Sequence, residues 1–315
     1  METGSSTVDR SGIPWVVAGT LFLALVVALM WHFSREDIPA KELASKASRV
    51  DIVERMQVAL AFASEAEKSA VLAITDQDSL TFADQSRAAT AEVERGRQEL
   101  GKLLATGGTK GEQDLLSQFS EVFGNLQRID EEVLRLAVKN TNLKAYALAF
   151  GPAADTVAEL DAALSRVVAR HAAGADAMRV LRLASGARIA VLRIQTLLAP
   201  HIAVESDTKM DQLEASISRE AMQARKDLDG LAALPSLKGD SDLASAASSL
   251  AHYGELKERL LALSRENTNV RSLALSLNQK RKAMILCQDA LNALRQAILD
   301  EPIAGVSYGR PAHPR

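Results

Sequence analysis

The chain of 315 residues is poor in cysteine, with Cys287 alone, and in aromatic residues, which make up 4%. One cysteine excludes an intrachain disulfide and a cysteine-rich metal site. The shortage of aromatics disfavours a large β-sandwich or barrel. A net charge of -3 excludes the strong basic character of a nucleic-acid-binding protein. With 47% hydrophobic residues, the chain has enough apolar material to fold, and its alanine and leucine favour helices.

Residues 13–33 are 21 consecutive positions without a formal charge. As a helix they would be about 31 Å long, roughly the thickness of a bilayer core. Trp15 and Trp31 stand at the two ends, where membrane proteins place amphipathic rings at the interface. A cleaved signal peptide is the alternative, but the exit ALMWHFSRED is a poor cleavage site. We therefore predict a single-pass transmembrane helix over 13–33, after an N-terminal tail over 1–12.

The flanking charges leave the orientation of this span open. Arg10 is the one basic residue before it, whereas four follow it within the next 16 residues, namely Arg35, Lys41, Lys46 and Arg49. By the positive-inside rule this bias places the C-terminal part in the cytoplasm. The rule is weaker for long translocated domains, so an extracytoplasmic location is also open.

An internal repeat organises the rest of the chain. Residues 131–148 match residues 258–275 at a constant offset of 127, with eight of 18 positions identical, including the triplet Asn-Thr-Asn. No segment between residues 41 and 300 has the pattern of a strand. Turn residues separate helical segments of about 20 to 40 residues, so that each repeat comprises four helices.

Heptad spacing predicts how these helices pack. In the third helix of the first repeat, two apolar rows are Phe119, Leu126, Val133, Asn140 and Ala147, and Val122, Ile129, Leu136, Leu143 and Phe150. Such spacing favours packing at shallow angles in an up-down four-helix bundle. The predicted fold is therefore all-α, with one transmembrane helix and two tandem bundles over 41–173 and 174–300. Residues 301–315, with three prolines, are predicted to be a flexible tail.

The Asn-Thr-Asn triplets supply the first candidate site. Asn140 and Asn267 fall on apolar rows, and Asn142 and Asn269 lie beside them. A polar residue in an apolar row fixes helix register at some cost in stability. A ligand-facing amide is the alternative interpretation.

Three arginines, Arg179, Arg182 and Arg193, share one face of the first helix of the second repeat. Guanidinium groups so placed could bind a carboxylate ligand in bidentate fashion. A solvated helix face with ordinary ion pairs is the alternative. The histidines lack the i, i+4 spacing of a helical metal site. No phosphate-binding glycine loop or hydrolase motif is present, so we expect no catalytic residues, no metal and no cofactor.

The span, the first-helix segment SEAEKSAVLAITDQD and the ENTN and KNTN segments resemble the four-helix-bundle sensory module of methyl-accepting chemotaxis receptors. The resemblance covers residues 13 to about 172 once and 175 to 300 again. It implies an extracytoplasmic, dimeric bundle in the inner membrane that binds small molecules or ligand-loaded proteins. A second span and a methylation hairpin, usual in that family, are missing from this sequence. We therefore expect a sensory module that signals through a partner. The alternatives are a helical scaffold that docks proteins at the membrane, or a module with cytoplasmic bundles.

Overall fold

A computed structural model describes residues 13–302, with side chains described from residue 40. All regular structure in this part of the chain is helical, as predicted. The helices are α1 (Ile13–Leu72), α2 (Asp76–Gly107), α3 (Lys110–Ala137), α4 (Thr141–Phe150), α5 (Pro152–Arg170), α6 (Ala177–Ala203), α7 (Asp207–Ala232), α8 (Ser241–Glu266), α9 (Thr268–Leu275) and α10 (Arg281–Asp300). A 3-10 turn, Pro235–Leu237, precedes α8, and a π-helical turn, Ser276–Lys280, precedes α10.

Trp15 and Trp31, with the span over 13–33, lie outside the residues whose side chains are described. Within the described residues, no helix is both long and apolar enough to cross a membrane. The N-terminal tail over 1–12 and most of the tail over 301–315 also lie outside the described part.

The chain divides into two compact units. The first comprises residues up to Ala59, residues 92–120 and residues from Gln288 onward. Its core side chains are Ile52, Val53, Met56, Val93, Leu100, Leu104, Phe119, Leu291, Leu294 and Ile298.

Buried polar contacts in this first unit attach the end of α10 to α1. Lys46 Nζ donates to the carbonyl oxygens of Leu299 and Glu301, each at 2.6 Å. Arg49 donates to both carboxylate oxygens of Glu112 at 2.8 Å and to Glu301 at 2.6 Å. Glu112 also accepts from the backbone N–H of Thr109 at 2.7 Å, which completes a capping box at the start of α3.

The second unit comprises residues 60–91 and 121–287. Its largest apolar cluster is formed by α4, α5, α6, α7 and α8, with Leu164, Ile194, Leu198 and Leu260 all buried. Smaller clusters join α1, α2 and α3, such as Ala70, Ala83 and Leu134. The α7–α8 pair packs less extensively than the α6–α7 and α5–α8 pairs.

The helices group differently from the sequence-contiguous boundaries 41–173 and 174–300. Helix α5, the fourth helix of the first repeat, packs on α8 and α6 of the second repeat. Lys280, at the start of the fourth helix of the second repeat, contacts Glu67 on α1 and Asp130 on α3. The fourth helices are thus exchanged between the repeats. The repeats have similar apolar rows, so each fourth helix can bury its row on either group.

A second difference concerns the third helix of each repeat, for which the heptad rows predict one continuous helix. Instead it is interrupted at Asn140 and at Asn267. Beyond the first break, Phe150, the last member of one row, is 58% exposed, so the row does not remain buried. The continuous-helix prediction was therefore wrong, because the heptad pattern continues across a change in backbone conformation.

Candidate functional site

The two Asn-Thr-Asn segments meet at one polar centre in the second unit. Asn140 and Asn267 both adopt the left-handed conformation, with φ of 51° and 52°. Asparagine enters this region at lower cost than most residues. Helix α3 ends before Asn140, and α4 begins at Thr141. The backbone N–H groups at the start of α4 and α9 therefore need acceptors.

Each segment provides these acceptors for the other. The N–H of Thr141 donates to Thr268 Oγ1 at 3.2 Å, and the N–H of Thr268 donates to Thr141 Oγ1 at 3.1 Å. The N–H of Asn142 donates to Asn269 Oδ1 at 3.1 Å, and the reverse bond has the same length. Neither Asn140 nor Asn267 caps its own helix through its side chain. The helix caps are reciprocal between the two repeats.

The remaining amide groups are also satisfied. Asn142 Nδ2 donates to Asn267 Oδ1 at 2.7 Å, and Asn269 Nδ2 donates to Asn140 Oδ1 at 2.9 Å. Asn142 also donates to the Ile202 carbonyl oxygen at 2.6 Å. Most of the centre is buried, since Asn140 is 1% exposed and Asn267 is fully buried, whereas Asn269 is half-buried. Its geometry is that of a register and pairing element, with no free amide directed at a ligand.

Two ion pairs flank the centre in equivalent positions. Asp76 Oδ2 lies 3.0 Å from Lys144 Nζ, and Asp207 Oδ1 lies 3.3 Å from Arg271 Nη2. Hydrogen bonds from Lys144 and then from Asn140 lower the pKa of Asp76. The two carboxylates are 131 positions apart and the two cations 127. The two ion pairs therefore align the repeats, with an offset of 131 between α2 and α7 and of 127 between α4 and α9.

A buried histidine adjoins the centre on one side only. His201 is fully buried, with Nδ1 at 2.8 Å from Ser264 Oγ and Nε2 at 3.0 Å from Glu214 Oε1. Desolvation lowers the pKa of His201, so the neutral ring is favoured. Ser264 is itself buried and donates to the His201 carbonyl oxygen. This order of groups resembles a hydrolytic triad, but a substrate could not reach the buried Ser264 hydroxyl. We interpret it as a structural network.

A buried charge cluster lies between α1, α3 and the π-helical turn. Lys280 Nζ is 2.7 Å from Glu67 Oε2 and 2.6 Å from Asp130 Oδ1, and all three side chains are nearly inaccessible. The Asp130 contact lacks hydrogen-bond geometry, and Glu67 Oε1 has no partner among the described residues. This cluster was not predicted from the sequence. A signal was present, because Lys280 extends the apolar row of Met284, Cys287, Leu291 and Leu294 by one step.

The three candidate arginines do not converge on a site. Arg179, Arg182 and Arg193 are exposed on α6, and Arg193 reaches Glu220 on α7 at 3.5 Å. Beside them runs an apolar ridge in which Met178 is 77% and Leu192 is 51% exposed. The structure brings the Asn-Thr-Asn residues together and leaves these arginines on the surface.

The described residues also include no group of three His, Cys, Asp or Glu side chains suited to hold a metal ion. Cys287 is buried, and desolvation raises the pKa of its thiol to about 12. The thiolate is therefore scarce at neutral pH, and the side chain serves as a small apolar group.

Comparison with known proteins provides no assignment: no protein-family model matches the chain, and no curated protein is similar to it.

Proposed function

We propose that the chain is a membrane-anchored sensory module of chemoreceptor type, with its helical units outside the cytoplasm and the span over 13–33 as its anchor. It would act as a homodimer through helix packing, bind a small molecule or a signalling partner protein, and carry no enzymatic activity. Each repeat would contribute to two helical bundles that have exchanged their fourth helices.

The reciprocal caps of the Asn-Thr-Asn segments are the observation that supports this proposal. Displacement of either segment removes acceptors from backbone N–H groups of the other repeat. Buried N–H groups without acceptors are costly, so helix movements in one repeat are coupled energetically to the other. A sensory module needs such coupling between ligand contact and helix position.

Membrane topology tests the anchored, extracytoplasmic arrangement. Gly305→Cys introduces a thiol after the described residues, and Ser5→Cys places one before the span. Buried Cys287 should contribute little background, and Cys287→Ala is the control for it. Intact cells are treated with a thiol reagent that does not cross the inner membrane. Labelling of Gly305→Cys but not of Ser5→Cys is expected. The reverse result would remove the extracytoplasmic sensor.

A helical scaffold is the second candidate, favoured by the exposed ridge on α6. Met178, Leu181, Ile189 and Leu192 are all at least 44% exposed. Such apolar ridges suit docking of a protein helix. Thermal unfolding of the full chain with small-molecule panels separates the candidates. A rise in Tm with one ligand favours the sensor, whereas docking of a protein that Leu192→Lys abolishes favours the scaffold.

A further inference from the structure

An open groove lies on the second unit between α7 and α8, and Ile194 of α6 forms part of its floor. Its volume is about 480 Å³. Ile194 and Tyr253, which are 1% and 2% exposed, line its apolar surface together with Leu250 and Met222. The Tyr253 hydroxyl donates to Gln195 Oε1 at 3.2 Å, so the ring is fixed in place. Ligand sites in proteins are commonly apolar concavities of about 300–1,000 Å³ with few polar groups.

The duplication provides an internal comparison for this groove. With the offsets given by the flanking ion pairs, six of its eleven lining residues have counterparts that line a second cavity, formed by α1, α2, α3 and α10 within the same unit. The counterparts are Ala63 for Ile194, Thr90 for Ala221, Phe123 for Leu250, Leu126 for Tyr253, Gln127 for Gly254 and Asp130 for Lys257. That cavity measures only about 10 Å³, enough for one water molecule. One copy of the pocket is closed and the other is open.

Specific replacements explain the difference. Lys280 and Met284 line the closed copy, and Lys280 forms an ion pair there with Asp130. The residues at their positions in the first repeat are the smaller Ala153 and Val157. Gln127 is replaced by Gly254, and a Cβ atom on Gly254 would meet nothing within 4 Å. The open copy therefore lacks the side chains that fill the closed one.

Charge on the rim indicates what the groove can bind. Lys257 Nζ lies 2.7 Å from Glu258 Oε1, and Glu255 Oε2 lies 3.6 Å from His252 Nδ1. Arg225 is exposed on the rim and has no hydrogen-bond or ion-pair partner among the described residues. A guanidinium group binds a carboxylate through two parallel hydrogen bonds. An apolar surface with one unpaired guanidinium at its edge suits an amphipathic anion.

We propose that this groove binds a small organic acid, whose carboxylate pairs with Arg225 and whose apolar body lies against Ile194, Tyr253 and Leu250. The inference rests on the proposed function as a ligand-binding module and assigns its site and ligand class. It also assigns different roles to the two copies of the pocket, since the closed copy is occupied by the chain's own Lys280.

Isothermal titration of the detergent-solubilised full chain tests the proposal. The probes share one phenyl body: 3-phenylpropanoate, the neutral 3-phenylpropanamide and the cationic 3-phenylpropylamine. We expect the acid to bind at least tenfold more tightly than the amide and the amine. Arg225→Gln should abolish that preference, whereas Arg219→Gln, which alters an exposed arginine on the same helix, should not.

Filling the groove gives a second, independent readout. Gly254→Leu should abolish binding of the acid. Gly124→Leu is the matched control, because its Cβ also meets nothing within 4 Å and it does not line the open groove. Absence of binding by all three probes, or binding that neither Arg225→Gln nor Gly254→Leu weakens, would overturn the proposal. The topology experiment tests the proposed function independently. A cytoplasmic location of the bundles would refute the extracytoplasmic sensor, whereas binding of the acid would still support the groove as a ligand site.

Discussion

The hydroxyl oxygens of Thr141 and Thr268 lie 3.2 Å apart, and each accepts a hydrogen bond from the backbone N–H of the other residue. Both side chains are at least 96% buried. Two residues separated by 127 positions thus cap each other's helices. The equivalent segments of the two repeats therefore stabilise each other's helix ends directly.

Thr268→Val should destabilise the chain by about 1–3 kcal/mol, because it leaves the buried N–H of Thr141 without its acceptor. Thr141→Val should do the same to Thr268. Urea unfolding followed by circular dichroism measures the change. Thr156→Val is the matched control, since the buried Thr156 hydroxyl bonds only to the Pro152 carbonyl oxygen of its own helix. Equal losses for Thr156→Val and Thr268→Val would contradict a special role for the reciprocal caps.

Replacement of Asn267 should reveal the cost of its left-handed backbone. Asn267→Gly loses the side-chain hydrogen bonds to the Val204 carbonyl oxygen and from Asn142 Nδ2 but tolerates a φ of 52°. Asn267→Ala loses the same two bonds and adds about 1–2 kcal/mol of backbone strain. Stability should therefore fall in the order Asn, Gly, Ala. If the alanine variant equals or exceeds the glycine variant in Tm, the backbone at this position is not strained in the folded chain.

Removal of the buried cation should have a large effect. Lys280→Met leaves Glu67 and Asp130 buried without a counter-charge, which should cost about 3–5 kcal/mol. Combining it with Glu67→Gln and Asp130→Asn should restore much of the lost stability. Arg295→Met, which breaks the exposed pair with Glu54, provides the comparison at about 0–1 kcal/mol. Similar losses for Lys280→Met and Arg295→Met in denaturant titrations would refute the buried cluster.

His201 should make stability depend on pH in the mildly acidic range. Burial lowers its pKa below the ordinary value of 6.5, so the folded chain binds this proton less readily than the unfolded chain. Its contribution is complete above pH 6.5 and is lost as pH falls through the folded pKa. The pKa of Glu214 is lowered chiefly by its hydrogen bond from Arg265, so the stability that this carboxylate contributes is present above its ordinary pKa of 4.5 and is lost only below that pH.

The check is Tm measured from pH 7.5 to 5 for the wild type and for His201→Gln. The wild type should lose stability toward pH 5, and the variant should show a flatter profile in this range. Glu214 changes its protonation state below pH 4.5, outside the measured range, so the difference between the two profiles reports on His201. Parallel profiles would show that His201 does not titrate on unfolding.

The helical class, the duplication and the polar positions of the Asn-Thr-Asn segments can be read from the amino-acid sequence alone. The composition disfavours large β-sheet folds, and a constant offset of 127 over 18 positions marks the equivalent helices. Asn140 and Asn267 stood out because a polar side chain in an apolar row needs a partner. The pattern did not show that the backbone changes conformation there, since the heptad rows continue on both sides.

The pairing of the helices and the position of the open groove follow from the folded arrangement and not from the sequence pattern. A heptad row indicates that one face of a helix is buried, but it does not indicate which neighbouring helix covers that face. Because the two repeats are similar, α5 could pack on the helices of either repeat. No sequence pattern marks Arg225 and Gly254 as lining a groove. A groove forms where small side chains on several helices come together, and that arrangement depends on the fold. Burial of apolar rows is a local property of each helix, whereas partner choice depends on contacts distant in sequence.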